Sequence, residues 1–181
     1  MAYSSTKKKS AGIVQISIGI LTVILVVLII AMMMIVSSIQ GTARIVNYAG
    51  LVRGKTQRIV KLEISGKQED DMIQEIESFI DGLMNGNKEL NLVRLEDSDF
   101  QTKMEELNEY FLMLEQEIMQ VRAYGADKTQ ILSKSEHFFE ICDEATGLAE
   151  VYSQRKASLL SVFEKYITAD IVVLMLLIGY E

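Results

Sequence analysis

A chain of 181 residues holds one domain, or one domain with membrane anchors. Hydrophobic residues make up 49% and charged residues 24%, with a positive mean hydropathy of +0.20, so apolar and charged residues are segregated into blocks. The absence of Pro and Trp, with 11 Gly, argues against a turn-rich all-β fold and for long uninterrupted helices. One cysteine excludes an internal disulfide, and one histidine beside it leaves essentially carboxylates for a metal site, so no zinc, other metal or cofactor is expected. The formal charge of −7 speaks against a nucleic-acid partner.

No charged side chain occurs between Lys9 and Arg44, and Gly12 to Val36 is a 25-residue apolar run interrupted only by Gln15, Ser17, Gly19 and Thr22. About 20 apolar residues cross the hydrocarbon core as a helix. A secretory signal has a shorter apolar region of about 7 to 15 residues and a small-residue cleavage site, which this run lacks. Residues 12–36 are therefore expected to form an uncleaved transmembrane helix. Lys7, Lys8 and Lys9 precede it, so by the positive-inside rule the tail 1–11 is expected in the cytoplasm of a cell whose inner membrane holds the chain.

A second apolar block, Ile171 to Tyr180, lies between Asp170 and Glu181 and is about half a span long. It is either the tip of a soluble core helix or the start of a second transmembrane helix. The second is preferred, with residues 169–181 as a truncated span and an output domain expected beyond it.

Residues 37–170 carry 15 Lys plus Arg against 24 Asp plus Glu, whereas the first 36 residues carry only the three lysines. Four segments show helical apolar spacing. The first continues from the apolar run through Ile45, Ala49, Val52, Thr56 and Ile59 and ends near Ser65-Gly66, where glycine suits a C-cap. The second runs from Asp70 to Met84 with Met72, Ile76, Phe79 and Leu83 on one side. The third follows Ser98 or Asp99 as N-cap and carries Phe100, Met104, Leu107, Phe111, Leu114, Ile118 and Val121, ending at Gly125. The fourth starts near Asp127 and runs through Phe138, Cys142, Ala145, Ala149, Tyr152, Leu159, Phe163 and Tyr166, with Lys156 interrupting. Short connections predict an all-α, antiparallel four-helix bundle over residues 37–168, membrane-anchored, with long first and last helices.

The acidic runs Glu69-Asp70-Asp71 and Glu96-Asp97 sit at helix starts, where carboxylates favour the helix dipole; they lack the glycine and spacing of a calcium loop. Cys142 falls in the core stripe, and His137 lies beside it at the margin without a nucleophile or metal partners.

From Ser37 to Leu62 there is no acidic residue, yet Arg44, Arg53, Lys55, Arg58 and Lys61 are present. Arg44, Lys55 and Arg58 share one side and predict a solvated basic face. Arg53 falls elsewhere, in the row Val46, Gly50, Arg53, Gln57, Val60, Ile64, a second packing seam beside the first. Its neighbours three and four positions away are Ala49, Gly50, Thr56 and Gln57, none of them a carboxylate. A guanidinium in a seam without a counter-ion costs several kcal/mol unless something anionic meets it. Two alternatives follow. Arg53 pairs with a helix-four carboxylate such as Glu140, Asp143, Glu144 or Glu150, or it meets a ligand, with Arg53 of a second copy sharing one anion across a two-fold axis.

The stretch Ile45-Val46-Asn47-Tyr48-Ala49-Gly50-Leu51-Val52-Arg53-Gly54-Lys55-Thr56-Gln57-Arg58 resembles the signature on the first periplasmic helix of the nitrate/nitrite sensor kinases NarX and NarQ and of the N-terminal module of type IV pili chemotaxis transducers (PilJ). That signature is an Asn, a Gly three residues on, an Arg three further, then Gln or Ser and a second Arg. The resemblance covers 14 residues. It implies a dimeric sensor in which the arginine after Ala-Gly-x-x binds an anion, here Arg53, with Asn47, Gly50 and Gln57 in the same motif. Gly54 and Lys55 depart from the nitrate sensors, which more often carry Met and a polar residue there.

The expected function is thus an extracytoplasmic sensor domain of a transmembrane receptor, whether histidine kinase, chemotaxis transducer or diguanylate cyclase. It would bind a small molecule or anion at a homodimer interface and pass a helix displacement inward. No nucleotide-binding or phosphoryl-transfer motif is present, so the chain itself is not expected to be an enzyme and no catalytic residue is assigned. The alternative is a scaffolding membrane protein whose bundle only oligomerises.

Overall fold

The computed structural model describes residues 2–125 and 128–180, with side chains described from residue 12. Four helices account for nearly all of it: α1 (Ala2–Ile64), α2 (Asp70–Asn85), α3 (Ser98–Tyr124) and α4 (Lys128–Tyr180). The fourth-helix start expected near Asp127 lies outside the described residues. The chain divides into two compact units, one of residues 40–154 and one of residues 1–39 with 155–181.

Residues 40–154 form an all-α bundle in which neighbouring helices run antiparallel. Tyr48 of α1 meets Phe79 of α2 edge-on at 4.9 Å between ring centroids, and Lys55 of α1 pairs with Glu75 of α2. Phe111 meets Phe138 at 5.7 Å and Lys103 meets Glu144 at 2.6 Å, which sets α3 against α4 in opposite directions. Arg53 to Asp143 and Gln57 to Ser135 do the same for α1 and α4.

The expected stripes become the core within residues 40–154, with Met72 only half-buried, but not beyond: Leu159 and Tyr166 of the expected α4 stripe are exposed and Phe163 is half-buried, because α4 there belongs to the second unit. Ile45, Ala49, Val52, Thr56 and Ile59 of α1 are buried, as are Ile76, Phe79 and Leu83 of α2 and all seven residues of the α3 stripe. On α4, Phe138, Cys142, Ala145 and Ala149 are buried and Tyr152 packs at the margin. Each fully buried Ile, Leu, Val, Phe or Met among them contributes about 1.5–3 kcal/mol.

Local chemistry ends each helix where the chain must turn. After α1, Gly66 adopts φ +84°, and the amide of Lys67 donates to the carbonyl of Leu62 at 3.0 Å. The cap of α3 differs from expectation: Asp97, rather than Ser98 or Asp99, accepts a hydrogen bond from the Phe100 amide at 3.1 Å. Its carboxylate, one residue earlier, is the one within reach of the first orphan amides.

The connection between α2 and α3, residues 86–97, is longer than the short turn expected. It folds back on itself through paired backbone bonds between Asn87 and Leu92 at 2.9 and 2.8 Å, and Asn87 Oδ1 accepts from the amides of Glu89 and Leu90. Leu92 and Leu95 are buried beneath it. Gly82 allows this close approach, since a Cβ there would lie 3.0 Å from Leu92 Cδ1. The segment thus behaves as a core-covering cap.

The opposite end of the bundle is held by charge. Glu63 of α1, 2% exposed, accepts from Arg122 of α3 through both oxygens, at 2.9 Å from Nε and 2.6 Å from Nη2. Arg122 also reaches Asp70 at 2.6 Å, and Glu63 accepts from the Glu69 amide at 3.2 Å. The Glu63 hydrogen bonds hold the guanidinium pKa above its ordinary value. Glu115 of α3 shows the opposite situation: burial, then the nearby Glu77, push its carboxyl above the usual range.

In residues 1–39 with 155–181, the apolar part of α1 is exposed. Its most hydrophobic 18-residue window has a mean hydropathy of 3.2 and none of it is buried, so by length and composition it can cross a membrane. Leu21, Ile24 and Leu28 form a shallow groove with Tyr166, Ala169, Asp170 and Val173, and the Asp170 carboxylate is buried there.

Two measurements check this description. Arg122→Ala strands a buried carboxylate and is expected to destabilise the protein by about 3–5 kcal/mol in chemical denaturation, whereas Glu63→Leu with Arg122→Leu recovers most of the loss. Glu115→Gln is expected to raise stability at neutral pH. A carboxyl whose folded pKa is raised penalises the fold only when ionised, so the gain vanishes in acid below the usual carboxylate range.

Candidate functional site

The row Val46, Gly50, Arg53, Gln57, Val60, Ile64 runs beside the buried seam of α1. Its members are half-buried except Val60, which is buried. This follows from the 4-3 spacing: the row is turned away from the centre of the bundle by a fraction of a helical turn, toward α4 and the surface.

Arg53 is 36% exposed and its Nη1 pairs with Oδ1 of Asp143, which is 52% exposed. The guanidinium carbon lies 5.0 Å from the centroid of the Phe139 ring, so one face of the cation rests on an aromatic surface. Of the two alternatives the sequence leaves open, the single chain adopts the pairing with α4, and among the four candidate carboxylates it chooses Asp143. Glu140 is instead 3.1 Å from His137, and Glu144 is bound to Lys103.

Gln57, one turn on from Arg53, donates from Nε2 to the carbonyl of Ser135 at 2.8 Å. It also borders an open groove of about 570 Å³ lined by Arg58, Val60, Lys61, Ile64 and Leu132. Gly50, one turn before Arg53, is half-buried, and a Cβ at Gly50 or at Gly54 would meet nothing within 4 Å. The surface around Arg53 is open to a closely approaching body. Asn47 is exposed and lies six residues before Arg53, about 9 Å along the axis and turned well away from it. The structure thus brings Arg53 and Gln57 together, leaves Gly50 as open space beside them, and keeps Asn47 apart.

The expected solvated basic face needs correcting at one position. Arg44 and Arg58 are exposed, but Lys55 is half-buried, pairs with Glu75 and lies 5.8 Å from the Phe79 ring centroid, because α2 packs on that side. Phe139 was not foreseen as part of the site; its only signal is the Phe138-Phe139 doublet, in which one ring fills the core and the next emerges beside it.

Cys142 is buried directly behind this site. Burial pushes its thiol up to about 12, with Arg53 acting in the opposite direction. His137 is exposed and stacks edge-on with Tyr110 at 4.9 Å. Among the described residues no group of three His, Cys, Asp or Glu side chains is placed to hold a metal ion.

No protein-family model matches the chain, and no curated protein matches it. Among solved structures, the ligand-binding domain of the P. aeruginosa nitrate receptor McpN is similar, with a TM-score of 0.56 and 18% sequence identity over 61% of this chain and 96% of that chain. At this identity the likeness is one of fold, and it agrees with the all-α bundle.

Because the thiolate is the reactive form and Cys142 is both buried and raised, a disulfide reagent at mildly alkaline pH is expected to leave the native protein unlabelled and to label it once unfolded. Labelling of the native protein at the rate of a free thiol would contradict this placement.

Proposed function

We propose that this chain is the sensor part of a transmembrane receptor: residues 12–36 span the membrane, the tail 1–11 is cytoplasmic, and the bundle within residues 37–168 is extracytoplasmic. It binds a small ligand through Arg53 at the interface of a homodimer. The observation that carries the reading is a half-exposed guanidinium on the row of α1 that the core leaves uncovered, next to open space at Gly50 and Gly54. Two further points support it: the motif around Arg53, and a fold like that of the ligand-binding domain of the nitrate receptor McpN.

Gln57 is the second polar group within reach, and Asn47 belongs to the same surface of α1 only in a dimer that covers the exposed side of the helix. The second span, expected at residues 169–181, begins earlier on α4 in this proposal, since Tyr166 and Ala169 already share a groove with Leu21, Ile24 and Leu28 of the first span, and the extracytoplasmic bundle ends correspondingly before residue 168. α1 and α4 are the helices through which a displacement would travel, since both contribute to the bundle and to the apolar unit. The chain has no assigned catalytic role, cofactor or nucleic-acid partner in this proposal.

The dimer is tested by Gly50→Cys in a Cys142→Ser background, in membranes: oxidation is expected to crosslink two copies through α1, and a control at exposed Gln130 is not. Ligand binding is tested on the full chain in lipid nanodiscs by thermal denaturation across small anions and metabolites. A true ligand at 100 times its dissociation constant stabilises by about 2.7 kcal/mol, and Arg53→Ala is expected to abolish the effect. Absence of any response, or an equal response from Arg53→Ala, would leave the bundle as an oligomerisation scaffold.

A further inference from the structure

The Arg53–Asp143 pair is half used. It engages Nη1 of the guanidinium and Oδ1 of the carboxylate, and among the described residues no hydrogen bond is made by Nε or Nη2 of Arg53 or by Oδ2 of Asp143. No other charged side chain within the bundle pairs with either residue among the described residues. On α1, Lys55 is turned to Glu75; on α4, Glu140 faces His137 and Glu144 is held by Lys103. The outcome is an isolated, partly exposed cation and anion side by side, with the Phe139 ring 5.0 Å from the guanidinium carbon and small residues at Gly50 and Gly54.

Such a site discriminates by charge pattern. A bare monoanion at Arg53 must share the guanidinium with Asp143 or displace it, and displacement leaves the carboxylate uncompensated next to the bound anion. A molecule with an anionic group and a cationic group attached to the same carbon meets no such conflict. Its anion binds the unused N–H groups of Arg53, its cation binds Oδ2 of Asp143, and every charge keeps an opposite neighbour through charge-assisted hydrogen bonds.

We infer that the Arg53 site takes a small zwitterion carrying a carboxylate beside an ammonium, the α-amino acid class, and that Asp143 is the residue that selects it over simple anions. This rests on the assignment of Arg53 as the ligand-binding cation. Asp143 therefore contributes both an attractive contact to the ammonium and a repulsive one against ions such as nitrate.

The test is calorimetric titration of the full chain in nanodiscs with glycine, the smallest such zwitterion, and sodium nitrate, the bare anion. The wild-type protein is expected to bind glycine more tightly than nitrate. Asp143→Asn is expected to weaken glycine by about tenfold or more, as loss of a hydrogen bond between charged groups does. It is also expected to strengthen nitrate by about fivefold, the ratio that removal of a competing exposed ion pair allows. Asp143→Glu, which restores the charge, is expected to restore the preference for glycine, and a circular dichroism melt of each variant confirms the fold. Tighter wild-type binding of nitrate than of glycine, or no gain for nitrate on Asp143→Asn, overturns the inference. If the nitrate response is nevertheless lost in Arg53→Ala, the sensor assignment of Arg53 stands without it; a response to either probe that survives Arg53→Ala overturns both.

Discussion

The Glu63–Arg122 pair sets the register on which the rest of the bundle depends. The apolar seams of the four helices are built of Ile, Leu, Val, Met and Phe, which tolerate small axial shifts at modest cost. A bidentate contact between a carboxylate 2% exposed and a guanidinium 13% exposed does not, because a slip of one residue buries two unpaired charges. The pair joins α1 to α3, reaches Asp70 at the start of α2, and lies at the end of the bundle where Lys128 of α4 donates to the Ile64 carbonyl at 2.7 Å. All four helices are thereby aligned at one level. Replacement by apolar side chains of like size would leave the core intact, so the contribution of this pair is alignment more than net stability.

Alignment at that end decides what happens one to three turns away along α1. With Ile64 fixed beside Lys128, Gln57 falls opposite the Ser135 carbonyl and Arg53 opposite Asp143 and Phe139. A shift of α4 by one residue would bring Cys142 or Glu144 to Arg53 instead and would turn Phe139 away. The arrangement of cation, anion and ring is therefore a consequence of a charged contact about three turns further along α1, not of any preference local to Arg53.

The same geometry explains how the domain can hold a stable core and a responsive site on one helix. The row Ile45, Ala49, Val52, Thr56, Ile59 is buried and anchors α1 in the bundle; on the neighbouring row, Arg53 and Gln57 meet α4, and Gly50 faces open space. At its middle, Arg53 and Gln57 make polar contacts to α4, which rearrange at less cost than the buried first row; its ends, Val46, Val60 and Ile64, pack on the core. In the proposed receptor, a ligand that changes how Arg53 meets Asp143 acts on the relation between α1 and α4, the two helices that run on into the apolar unit, while α2 and α3 brace the core.

By itself the sequence determined four helices, the end of α1 and the limits of α2 and α3 within a residue or two, and most core positions, though not Ile73, Ile80, Ile131 or Ile141, because periodic apolar spacing, glycine stops and the absence of proline are local signals. It also picked out Arg53 as a cation that needs a partner, from the lack of acids three and four residues away. Only the tertiary structure decided which partner it has in the single chain, that Lys55 is turned into the α2 interface, that Asp97 caps α3, and that residues 86–97 cover the core instead of forming a tight turn. The Arg53 partner and the turning of Lys55 depend on the relative register and rotation of helices far apart in the chain, whereas the Asp97 cap and the 86–97 fold depend on which of several equivalent local bonds the chain makes. Helical periodicity states which residues share a face, but it holds no information about the level at which two such faces meet, and a charged pair between distant helices is what supplies it.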